Sequence, residues 1–140
     1  MICTFFGHRD CPEEIYPMLY DAIEALIRQK GVRCFYVGNQ GRFDEMALKA
    51  LRALIRVYPE IEYAVVLAYM PRKTHGMNPE ETIFPEGFEN FPPRFAISHR
   101  NRWMLERADY VITYVKYGWG GAAQFAEKAK RAGKTVINIG

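Results

Sequence analysis

No apolar run in the 140-residue chain approaches the roughly 20 residues that a membrane-spanning helix needs. Cysteine is scarce. Its three residues cannot all pair with one another, which argues against a disulfide scaffold and makes a reducing cytoplasm the expected compartment. Excess charge is missing too. The net charge of +3 is mild, and Arg28, Lys30, Lys49, Arg52, Arg56, Lys128, Lys130 and Arg131 spread over several predicted helices. No basic stripe interleaved with aromatics appears, so nucleic acid is not the expected partner. Internal repeats and linker-like stretches are absent. The opening MICTFFGHRDCP has no basic n-region and breaks off at Gly7, so it reads as a first strand rather than a signal peptide.

What remains is a globular composition, with 49% hydrophobic and 25% charged residues. That length and mix predict a single domain over residues 1–140. ICTFF (2–6) is short, apolar and β-rich. Asp10 and Glu13 stand at capping-box spacing before a helix in whose early turns Pro17 lies. That helix repeats Met18, Leu19, Ala22, Ile23, Leu26 and Ile27 until Gly31. VRCFYV (32–37) is a second strand, and a helix carrying Met46, Ala47, Ala50, Leu51, Leu54 and Ile55 on one face follows it. YAVVLAY (63–69) has the unbroken apolarity of a strand buried on both sides.

Residues 70–95, with five prolines, show no periodicity and read as one long loop. Its stretch IFPEGFENFPPRF (83–95) is open to three uses: a subunit contact, a lid or an ordinary packed loop. A helix is predicted over 97–107, strands over 110–115 and 135–139, and GWGG (118–121) opens the last helix. Strands alternating with helices predict an α/β, Rossmann-like, doubly wound parallel sheet of five strands in the order 3-2-1-4-5, with helices on both faces. In that order ligands bind at the carboxyl ends, between the loops after strands one and four.

Those loops hold the chemistry. The glycines Gly118, Gly120 and Gly121 allow backbone N–H groups to approach a phosphate at a helix N-terminus, although glycines also simply make tight turns. Trp119 between them has two open roles, stacking on a base or capping the core. After strand one, Gly7, His8 and Arg9 offer a close backbone, an imidazole and a phosphate clamp; alternatively Arg9 pairs with Asp10 or Glu13 and His8 caps a loop. After strand two, Gly38, Asn39 and Gly41 precede Asp44. That acid serves ribose hydroxyls, a glycosidic bond or merely the dipole of the next helix. Of Arg100 and Arg102, at least one is expected to face solvent. Cys3 and Cys34 read as core residues. Cys11 beside His8 invites a reactive thiol or half a zinc site, but no second pair of ligands is found, and neither metal nor cofactor is expected.

ISHRNRWMLERADYVITYV followed by GWGGAAQFAE resembles the core of the SLOG superfamily, the Rossmann-like group that includes the LOG (Lonely guy) phosphoribohydrolases, long mislabelled lysine decarboxylases. Arg100, Met104 and the pair Ala108–Asp109 match its motif. Over nearly the whole length the chain is similar to small YpsA-like SLOG proteins. The resemblance implies binding or sensing of a nucleotide or nucleotide-derived molecule, and a dimer or larger homo-oligomer.

Cleavage of an N-glycosidic bond, as in the LOG enzymes, is the alternative it implies. There Arg100 would hold phosphate, with Asp44 or Glu127 as the acid/base. The loop departs from the LOG pattern, since it lacks the proline and places Gln124 or Phe125 near the expected Glu. A lesser alternative is single-stranded nucleic-acid binding, because a related Rossmann-like domain occurs in DprA.

Overall fold

The computed structural model describes residues 1–70 and 78–140, so the part of the predicted long loop at 71–77 lies outside the described residues. Six strands, β1 (Ile2–Gly7), β2 (Cys34–Val37), β3 (Glu62–Val66), β4 (Thr82–Ile83), β5 (Tyr110–Tyr114) and β6 (Thr135–Asn138), form one parallel sheet. Among the described residues four α-helices cross between them: α1 (Tyr16–Lys30), α2 (Arg42–Val57), α3 (Pro93–Arg107) and α4 (Gly121–Arg131).

The strand order is β4-β3-β2-β1-β5-β6, which corrects the five-stranded order 3-2-1-4-5. The additional strand is β4, at the edge, in register Val65↔Thr82 and Val66↔Ile83. Two residues carry no alternation to read, and they pair only because β3 leaves that edge open.

Alternation along each strand sorts the core into two layers. Phe5, Phe35, Val65 and Ile112 meet Leu19 and Ile23 of α1 and Ala47, Leu51 and Leu54 of α2. The neighbouring Phe6, Val66 and Val111 face the other way and meet Met104 and Leu105 of α3 with Phe125 and Ala129 of α4. Each fully buried Phe or Leu contributes about 1.5–3 kcal/mol of transfer free energy, so both layers stabilise the sheet.

The helix starts differ from expectation. No capping box forms at Asp10; the chain enters α1 through a 3-10 turn at Glu13–Ile15, and Pro17 sits in the first turn of the helix. α3 begins at Pro93, four residues before the expected 97, because a proline in the first turn loses no helix bond. Gly31 ends α1 with φ 68, the left-handed conformation that glycine alone adopts without strain. Among the described residues no helix is long and apolar enough to cross a membrane.

Candidate functional site

Where β1 lies between β2 and β5, the crossovers leave in opposite directions and a cleft of about 470 Å³ opens at the carboxyl ends. Phe6 and Met104 line it on the side of α3 and α4. His8 and Arg9 come from the β1 loop, Asp44 from the first turn of α2, Arg100 from α3, and Gly120 to Ala122 from the start of α4.

Arg100 is the largest fully buried side chain of the described residues, 2% exposed. Its Nε donates to Asn101 Oδ1 at 2.8 Å, and its Nη1 to the Val66 carbonyl at 3.1 Å and Asn39 Oδ1 at 3.3 Å. Nη2 has no acceptor among the described residues. None of their side-chain nitrogens or oxygens is both fully buried and unbonded, so Nη2 opens on the cleft that Arg100 lines.

Asp44, 9% exposed, has the complementary pattern. Its Oδ2 accepts the Gln40 backbone N–H at 2.9 Å, while Oδ1 has no donor among the described residues. Burial pushes the Asp44 carboxyl up to about 6, against the opposing pull of Arg100, the Gln40 N–H and Arg9. Burial also lowers Arg100, with Asp44 offsetting it. The two side chains meet over Gly38, where an added Cβ would lie 2.8 Å from Arg100 Cζ, Arg100 Nη1 and Asp44 Oδ2. Glycine is required there for space alone.

On the opposite wall Gly120, φ 92, caps α4, and Gln124 N–H closes the first turn on its carbonyl at 3.1 Å. The first N–H groups of any helix lack intrahelical acceptors, and no acidic residue occupies the first turn of α4. The partial positive end of α4 therefore faces the cleft unneutralised. Arg9, exposed, adds a cation at the rim; in the alternative that paired it with Asp10 or Glu13, the Glu13 carboxylate is taken by Arg42 instead, at 3.1 Å.

His8 accepts the Lys116 backbone N–H on Nε2 at 3.0 Å, which ties the loop after β1 to the loop after β5. Burial lowers its pKa, with Asp10 opposing, so the ring is neutral at neutral pH. Tyr117 stacks on His8 at 3.7 Å and Trp119 on Tyr117 at 4.2 Å. Trp119 is 70% exposed and lines the cleft, which removes the core-capping role.

Of the residues expected from sequence, Gly7, His8, Arg9, Asp44, Arg100, Trp119, Gly120 and Gly121 come together here. Gly38, Asn39 and Gly41 stand behind them, against Arg100 and Arg9. Gly118 and Glu127 do not join. Both line a separate hollow of about 260 Å³, and Glu127 pairs with Arg131 at 3.5 Å. Cys11 is no reactive thiol, since it is buried and its pKa is raised to about 11. Cys3 is buried as expected, whereas Cys34 is only half-buried. Asn101 and Tyr117 were not among the expected site residues. Among the described residues no three His, Cys, Asp or Glu side chains cluster as a metal site.

No family model matches the chain, and no curated protein matches it. Among solved structures, the X-ray structure of DNA processing protein A (DprA) from Streptococcus pneumoniae matches with a TM-score of 0.68 at 16% identity. The fold is similar to that of DprA. The match covers 97% of this chain and 49% of the DprA chain, so the chain spans about half the length of that protein. At this identity the likeness is one of fold alone, a Rossmann-like parallel α/β architecture.

Proposed function

We propose that the cleft binds a nucleotide-like phosphate ligand. One observation carries this reading: an unneutralised helix N-terminus faces a cleft whose opposite wall holds a buried hydrogen-bond donor, Arg100, beside a buried acceptor, Asp44. Anion-seeking groups converge from α4 and the β1 loop, α3 adds the buried Arg100 donor beside Asp44, and Trp119 presents an aromatic face at the mouth. The volume of about 470 Å³ suits a mononucleotide-sized molecule.

The test is thermal unfolding against AMP, GMP, CMP, ADP-ribose, NAD and ribose 5-phosphate, with wild type and Ala122→Glu. A ligand at about 100 times its Kd adds about 2.7 kcal/mol, a rise of several degrees at this size. Ala122→Glu places a carboxylate in the first turn of α4, which favours the helix but competes for the anion site. A selective rise in wild type that is lost in the variant supports the reading. No rise with any ligand, together with tight, steeply salt-dependent binding of a single-stranded oligonucleotide, would replace it with nucleic-acid binding.

Asp44 favours one second reading, cleavage of a nucleoside 5′-monophosphate at its N-glycosidic bond. A buried carboxyl with a pKa of about 6 and an open Oδ1 is suited to proton transfer near neutral pH. Glu127, in its separate hollow, takes no part. Release of ribose 5-phosphate that stops in Asp44→Asn while nucleotide binding persists is the expected result. Full turnover in that variant refutes it.

A further inference from the structure

We propose that Asp44 and Arg100 form a hydroxyl-reading subsite that makes the cleft selective for ribonucleotides over their 2′-deoxy counterparts. This rests on the nucleotide reading above and goes further, since it fixes which end of the ligand lies where.

The two side chains offer the cleft different things. Asp44 Oδ1 is a bare acceptor, held in place because Oδ2 is taken by the Gln40 N–H at 2.9 Å. Arg100 Nη2 is a bare donor, held by the bonds its Nε and Nη1 make to Asn101, Val66 and Asn39. Both side chains abut the same Gly38 backbone, Arg100 through Cζ and Nη1 and Asp44 through Oδ2, so the two groups that carry the free donor and the free acceptor stand side by side.

A phosphate fits this pair badly. It brings only acceptors, and the Asp44 carboxylate would repel it. A hydroxyl fits well, because it donates to one partner while accepting from the other. A vicinal diol gives each partner its own oxygen. The phosphate is left to the N-terminus of α4, whose first turn contains no acid. The sugar then lies between that phosphate and the Asp44–Arg100 wall. With each oxygen on its own partner, removing the 2′-hydroxyl would strand either the Asp44 carboxylate oxygen or the Arg100 N–H, a loss that polar sites punish severely.

The experiment is calorimetric titration at pH 8, where the Asp44 carboxyl, raised to about 6, is ionised. The probes are AMP, GMP and CMP, each against its 2′-deoxy 5′-monophosphate. Wild type is expected to bind the ribo member of any pair it accepts about tenfold or more tightly. In Asp44→Asn the amide oxygen must stay on the Gln40 N–H, which puts an NH₂ donor where the hydroxyl needs an acceptor. Selectivity should then fall to within about twofold. Equal affinity for both members in wild type overturns the subsite and leaves the nucleotide reading standing. Selectivity that survives in Asp44→Asn overturns the assignment to Asp44. Binding of none of the six compounds overturns the subsite as a reader of mononucleotides, and the wider thermal-unfolding panel then decides the nucleotide reading. The wild-type comparison needs no variant, so a poorly folded Asp44→Asn cannot shelter the proposal.

Discussion

Gly38 concentrates the chemistry of the site at one Cα. A methyl group there would press on Arg100 and on Asp44 Oδ2 from 2.8 Å, and both side chains are held by bonds that resist displacement. Gly38→Ala is therefore expected to cost about 1–3 kcal/mol in urea unfolding and to lower affinity for any cleft ligand. A neutral substitution would mean the pair yields more easily than its geometry implies.

Asp44 also leaves a signature in stability. Its folded pKa of about 6 lies above the ordinary 3.8, so the folded chain holds a proton that the unfolded chain has released. Its stabilising contribution is complete below about pH 4 and disappears as pH rises through 6. Relative to Asp44→Asn, wild type should lose about 2 kcal/mol between pH 4 and pH 7.5. A flat difference would show that the carboxyl is not desolvated.

At this scale position was readable where the strand ends fix it, as with Arg100 and Gly120, both of which line the cleft. Glu127 misled because only the first turn of α4 reaches the cleft, and a residue further along the helix faces another hollow. Asn101 and Tyr117 act through contacts with Arg100 and His8 that no spacing rule encodes.

Among elements, the periodic helices and apolar strands were legible because burial on one or two faces writes itself into the pattern. β4 was not. Its position depends on Glu81, just before it, whose carboxylate accepts from Arg52 Nε at 2.9 Å, Arg52 Nη2 at 2.7 Å and the Tyr63 hydroxyl at 2.7 Å. The hydrogen bond from Arg52, more than any other cause, draws Glu81 down to about 2. Its contribution is thus present above the ordinary carboxylate range and is lost as pH falls towards 2. Because the Arg52 side chain is 42% exposed, Glu81→Gln should cost only about 1 kcal/mol. The loss should be local. Amide exchange at Leu67, whose N–H donates to the Ile83 carbonyl at 2.8 Å, should speed up while the amides of β1 stay protected. Faster exchange throughout the sheet would show that this edge supports the whole fold.

For the whole molecule, the doubly wound arrangement followed from alternation of strands and helices, and it placed the cleft before any side chain was located. It could not say what fills the cleft, because folds of this kind carry many functions. The likeness to DprA shares that limit, being one of fold at 16% identity. What is particular to this chain is the division of the cleft into an anion-seeking end at α4 and a donor–acceptor pair at Arg100 and Asp44.

The most direct measurement of that division is a nitrogen–proton NMR titration of the ¹⁵N-labelled chain with AMP. The account predicts that the amides of Gly121 and Ala122 and the side-chain Nε–H of Arg100 shift together, saturating at one common affinity. Shifts confined to other surfaces, or none while Gly121, Ala122 and Arg100 are all observed, would contradict it.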